Sequence, residues 1–171
     1  MTDPMGKVTE EKDWIDKIRN FVSNYFGYFD KERRRDADKL LRTTVADRLQ
    51  EQWDRISSIQ QDLVSQGLLE FVDDLEKPAV KLRGLVDRIQ GASYGYAGFF
   101  DLARIQSEEL NKIYQFDYDL LQQVELIKVE VDGTAAAVAE GAPAEAIKTL
   151  TDVVQSAIEL YNRRDEVVLA E

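Results

Sequence analysis

Residues 40–63 read LLRTTVADRLQEQWDRISSIQQDL, and within them apolar side chains fall at Leu41, Val45, Leu49, Trp53, Ile56, Ile59 and Leu63. Steps of three and four keep these side chains on one stripe of an α-helix, because a helical turn takes 3.6 residues. The stripe runs well past the usual length of a strand and shows no period of two. Asp30 is a good N-cap upstream of it, and Gly67 is a natural stop downstream. The spacing therefore predicts one helix over about residues 31–66, about 54 Å long at 1.5 Å per residue. A helix of that length exposes its stripe unless long partners cover it.

The rest of the chain supplies such partners. Leu68, Val72, Leu75, Ala79, Leu82, Val86 and Ile89 repeat the spacing. So do Leu110, Ile113, Leu120, Val124, Ile127 and Val131, with Asp117 standing where another apolar residue belongs. Ile147, Leu150, Val154, Ala157, Tyr161 and Val168 form the last stripe. Lys128 to Asp132 alternate, but they lie inside a helical pattern, and no window carries a sustained strand signal. At the N-terminus Trp14, Ile15, Ile18, Phe21, Val22, Tyr25 and Phe26 make the apolar face of an amphipathic first helix ended by Gly27. Pro78 would remove one backbone hydrogen bond inside the third window. A break at 67–74, with Asp73 or Asp74 as cap, and a kink at the proline both stay open. Gly91 to Gly98 reads as a loop, Ser107-Glu108-Glu109 as a helix start, the Ala-rich stretch Gly133 to Gly141 as a linker, and Pro143 as the first position of the final helix. The expected fold is an all-α antiparallel bundle of about four long helices plus an N-terminal amphipathic helix. One domain spans 9–168, between flexible tails at 1–8 and 169–171.

Composition bounds the chemistry. The 171 residues contain no Cys and no His. That excludes Ser-His-Asp and Cys-His nucleophile systems, zinc fingers, haem ligation by His or Cys and the Glu-x-x-His di-iron motif. Carboxylates, Lys, Arg, Tyr and hydroxyls remain. Of the carboxylates, Glu108, Glu109, Asp117 and Asp119 do not assemble on one helix face, and acids at a helix start are expected from the dipole alone. Asp117 on the apolar stripe needs a partner, for which an Arg or Lys of a neighbouring helix, fixing register, is the simplest choice. The expectation is a protein that is not an enzyme, with no cofactor, no metal and no small-molecule substrate. The net charge of −11 argues against nucleic-acid binding. No export signal or membrane-spanning stretch is present, which points to a soluble, cytoplasmic chain.

Two features stand out as candidate surfaces. Thirteen of the sixteen aromatic residues lie in two windows, Trp14 to Phe29 and Tyr94 to Tyr118. They read either as two parts of one core or as an exposed docking surface, and in the second case Tyr94, Tyr96, Phe99 and Phe100 of the Gly/Tyr segment 91–100 are the candidate partner or ligand site. Next, Lys31 to Arg48 hold seven basic and four acidic residues, a balance of +3, whereas residues 108–171 sum to −9. Arg33, Arg34, Arg35, Lys39 and Arg42 are thus candidates for contact with lipid or an acidic partner, although interleaved Glu32, Asp36 and Asp38 also fit a solvated, internally paired face. The functional expectation is a non-catalytic interaction or self-association scaffold whose partner is another protein or a second copy of itself. The alternative is a peripheral membrane protein using the aromatic first helix and the basic run.

Overall fold

The computed structural model describes residues 4–92 and 107–169, and these form an all-α fold with no strand among them. The helices are α1 (Pro4–Arg19), α2 (Arg34–Ser65), α3 (Val72–Gly91), α4 (Ser107–Ala139) and α5 (Ala144–Leu169), with short 3-10 turns at Lys31–Arg33 and Leu69–Phe71. The candidate residues Tyr94, Tyr96, Phe99 and Phe100 lie outside the described residues.

Local chemistry sets most helix ends where the sequence places them. The Asp30 carboxylate accepts the Glu32 N–H at 3.0 Å and caps the turn that leads into α2. α2 stops at a Schellman closure: Leu68 N–H donates to the Leu63 carbonyl at 2.9 Å and Gly67 N–H to Val64 at 3.1 Å, with Gly67 at φ +74°. Only glycine takes that conformation without strain, so the stop is written into one residue. Between α4 and α5 the same pattern recurs, Ala142 N–H to the Ala137 carbonyl at 3.0 Å.

Several expectations need correction. α1, Pro4–Arg19, ends at Arg19 instead of running on to Phe26. Gly133 to Ala139 is the last part of α4, not a linker. Alanine buries little and so leaves no stripe to read, yet it has the highest helix propensity. Pro143 precedes α5, and its carbonyl accepts the Ile147 N–H at 3.0 Å. Pro78 is the seventh residue of α3, which runs through it without the bond to residue 74.

Pairing between helices is read from cross-contacts. Gln60 with Glu76, Arg83 with Gln50 and Arg42 with the Ile89 carbonyl run in opposite senses along α2 and α3, so these helices are antiparallel. Asp117 with Arg164 and Thr134 with Ala146 make α4 and α5 antiparallel as well. Between the two hairpins the order is different. Arg48 meets Glu125 and Arg55 meets Asp132, while Lys81 meets Gln155 and Arg88 meets Asp165. Both numbers rise together in each set, so α2 lies parallel to α4 and α3 parallel to α5. The helices thus alternate in direction along the chain, but neighbours are antiparallel only within each hairpin and parallel across the two hairpins, so not every neighbouring pair is antiparallel as expected. Leu41, Leu49 and Ile56 of α2, Leu82 and Val86 of α3, Ile113, Leu121 and Ile127 of α4, and Leu150 and Val154 of α5 are fully buried between them. Each such side chain contributes roughly 1.5–3 kcal/mol by leaving water.

The chain between α1 and α2 wraps one end of this core. Val22, Tyr25 and Tyr28 are completely buried although they belong to no helix. Their backbone needs partners, and three guanidiniums provide them: Arg48 donates to the Phe21 carbonyl, Arg19 to Tyr25 at 2.6 Å and Arg34 to Tyr28 at 2.7 Å. Gly27, at φ +73°, passes so close to Ile15 and the Tyr114 hydroxyl that a Cβ there would sit within 2.7 Å of both. Trp14 and Phe21 each lie 6.1 Å, ring centre to ring centre, from Tyr118, and Tyr28 lies 4.9 Å from Tyr114. Among the described residues the two aromatic windows thus form one core, with Phe29, 62% exposed, as the exception.

Candidate functional site

Besides Arg34, the wrapped end of the bundle holds a linked set of four charged side chains inside the core. Asp38 and Arg42 come from successive turns of α2, Asp117 from α4 and Arg164 from α5, and all four are buried. Arg164 reaches across the core, donating Nε to Asp117 Oδ1 at 2.6 Å and Nη2 to Asp38 Oδ1 at 2.7 Å. Arg42 donates Nε to the other Asp38 oxygen at 2.7 Å and Nη1 to the Ile89 carbonyl of α3 at 3.1 Å. The Tyr28 hydroxyl donates to Asp117 Oδ2, and the Tyr28 N–H donates to the Tyr114 hydroxyl at 2.6 Å. Two carboxylates and two guanidiniums therefore neutralise one another while tying together α2, α3, α4, α5 and the irregular segment.

Burial dominates the electrostatics here. It lifts the Asp117 carboxyl to about 6, against the opposing pull of Arg164 and the Tyr28 hydroxyl. The Tyr25 and Tyr28 phenols are pushed well above their usual range, first by burial and then by the Asp117 charge. Both Asp117 oxygens are engaged and the residue is 0% exposed, so it presents nothing to a substrate. Its role is the one expected for an acid on an apolar stripe: it holds a cation of a neighbouring helix. Arg164 and Tyr28 escaped the sequence reading, and Asp38, expected on a solvated, internally paired face, is paired but buried. A signal existed for Arg164, which fills the seven-residue gap in the α5 stripe between Tyr161 and Val168, as Asp117 fills the gap between Ile113 and Leu120.

The five basic candidates divide. Arg33 stacks on the Phe26 ring at 3.7 Å, and Arg34 is buried against Tyr28. Arg35, Lys39 and Arg42 are brought together at one cleft. With Thr43, Asp47 and Gln90 they line its volume of about 350 Å³ where the start of α2 meets the end of α3.

The acidic C-terminal half also divides. Glu125, Asp132 and Asp165 face Arg48, Arg55 and Arg88 of the first hairpin. Glu145, Asp152, Glu159 and Glu166 do not: they recur every seven residues along α5, all are exposed, and none has an ion pair among the described residues. Seven residues are close to two helical turns, so these carboxylates form one row about 10 Å apart.

Among the described residues no three acidic side chains are grouped to hold a metal ion, and no helix is long and apolar enough to cross a membrane. Glu108 is exposed, and Asp119 accepts a hydrogen bond from Gln115 at 2.8 Å, so neither joins Asp117 in a common site. No protein-family model, no curated protein and no solved structure matches this chain.

Proposed function

We propose that the chain is a non-catalytic helical scaffold that assembles with a second copy of itself. The observation that carries this reading is the division of its charges. The charges of the inner network, Asp38, Arg42, Asp117 and Arg164, are sealed inside and paired with one another, while the outer face of α5 carries Glu145, Asp152, Glu159 and Glu166, none in an ion pair among the described residues, with Lys148 and Arg163 interleaved between them. The cationic surface that complements it is the start of α2, where Arg35 and Lys39 are exposed. α2 and α5 lie diagonally across the bundle, so the two surfaces of one copy cannot meet each other. Acid row on basic end is a heterologous, head-to-tail contact, strengthened at low salt.

The alternative of peripheral membrane attachment has less support. Trp14, Ile15 and Phe21, which that reading would place in lipid, pack against the core instead. Light scattering on the full chain tests the proposal. At low ionic strength the mass should exceed the 19.6 kDa of one chain and rise with concentration, falling toward 19.6 kDa as salt is added. A strict monomer at high concentration and low salt overturns it.

A further inference from the structure

The cleft between the start of α2 and the end of α3 has the features of a small anion site, and we propose that it binds a phosphate monoester. Arg35, Lys39 and Arg42 follow one another at steps of four and three, which sets all three on one face of α2. Arg42 is 7% exposed, and its guanidinium is already fixed by Asp38 on one side and the Ile89 carbonyl on the other. A cation held in that way loses little freedom when an anion arrives. Lys39, one turn away, is exposed and has no ion pair among the described residues, so its flexible ammonium can close onto the same anion. Asp38, shared between Arg42 and Arg164, already offsets much of the Arg42 charge, so Arg42 serves as a fixed wall donor and the anion's charge is met chiefly at Lys39 and Arg35. Thr43 and Gln90 add an hydroxyl and an amide to the walls.

The shape of the cleft narrows the ligand further. Its volume of about 350 Å³ exceeds what a bare phosphate fills and leaves room for a small organic remainder. Asp47 lines it too. It lies five residues beyond Arg42, about 7.5 Å along the helix axis. A carboxylate at that distance repels a second anionic group and accepts a hydrogen bond from an hydroxyl or ammonium. The ligand class is thus a phosphate monoester with an hydroxyl or amine at its far end. A soluble metabolite and a lipid headgroup both carry that chemistry. The inference does not rest on self-association, although an occupied cleft would compete with a second copy for Arg35 and Lys39.

Amide resonances of the full chain, followed by NMR during titration with glycerol 3-phosphate against sodium chloride of equal ionic strength, test the site. Saturable shifts at residues 35, 39, 43 and 90 with the ester and none with chloride are expected. Lys39→Ala should weaken the affinity about tenfold, and Lys39→Arg should retain most of it. In a second arm, phosphatidylcholine vesicles with and without phosphatidic acid are sedimented with the chain. Retention that needs phosphatidic acid and Lys39 assigns the phosphate to a lipid. The Glu145→Gln/Asp152→Asn/Glu159→Gln/Glu166→Gln variant, which removes the proposed self-contact, should bind the ester as wild type does. If the shifts match those of chloride, or persist unchanged in Lys39→Ala, and vesicles retain nothing, the proposal is wrong. It is also wrong if the acid-row variant loses the shifts, because they then report assembly.

Discussion

Arg164 and Asp117 are 47 residues apart in sequence, and Nε of one lies 2.6 Å from Oδ1 of the other, with the side chains 1% and 0% exposed. The same guanidinium also holds Asp38 of α2, so one residue of α5 ties its own hairpin to the other. An apolar seam is indifferent to which helix stands diagonally opposite. A buried guanidinium that must find two carboxylates is not, and any arrangement that parted Arg164 from Asp117 and Asp38 would leave buried charges without partners.

Removing Arg164 leaves Asp38 with one cation and Asp117 with none. Arg164→Ala should therefore destabilise the chain by about 3–5 kcal/mol. Arg164→Met combined with Asp117→Leu, which also removes the orphaned acid, should cost clearly less than the sum of the two single changes. Urea unfolding of the four proteins gives the coupling.

The Asp117 carboxyl sits near 6 in the folded chain against 3.8 unfolded. Between those values the folded state binds a proton that the unfolded state does not, so this group adds stability below about pH 4 and the contribution is lost as the pH rises through about 6. Asp117→Asn lacks the titration. Its deficit relative to wild type should be larger at pH 4.5 than at pH 7, as read from urea midpoints at the two pH values. An equal deficit at both would place the Asp117 titration elsewhere.

Gly27 and Gly84 make a controlled pair. At Gly27 a methyl would meet Ile15 and the Tyr114 hydroxyl, and φ is +73°, so Gly27→Ala should cost about 2 kcal/mol or more. Gly84 lies inside α3 with nothing within 4 Å of an added Cβ, and Gly84→Ala should stabilise by about 0.4–1 kcal/mol. Thermal unfolding of the two variants should move in opposite directions.

The sequence discloses long helices well and their arrangement poorly, for reasons visible in particular residues. Leu41 to Leu63 and Ile147 to Val168 signal their helices because each buries one regular stripe. Asp117 gave itself away by interrupting such a stripe. Phe21 to Phe26 misled because apolar residues at helical spacing also suit a chain bent round the end of a bundle, and the bend at Asn24 (φ 64°) and Gly27 has no periodic signature. Which helices lie parallel is not legible, since the contacts that span the hairpins join residues far apart in sequence, and Arg164 looks like any surface cation until its partners, 47 and 126 residues away, are known. The acidic row of α5 was visible only as net charge, because its seven-residue spacing matters once the helix's outer face is identified.

The inner charges are proposed to hold the fold and the outer ones to make the contact between copies. Light scattering on wild type beside the Glu145→Gln/Asp152→Asn/Glu159→Gln/Glu166→Gln variant, at the same concentration and low salt, tests this most directly. Wild type should scatter above 19.6 kDa and the variant, equally helical by circular dichroism, at the monomer mass. Equal masses for the two proteins would contradict the proposal.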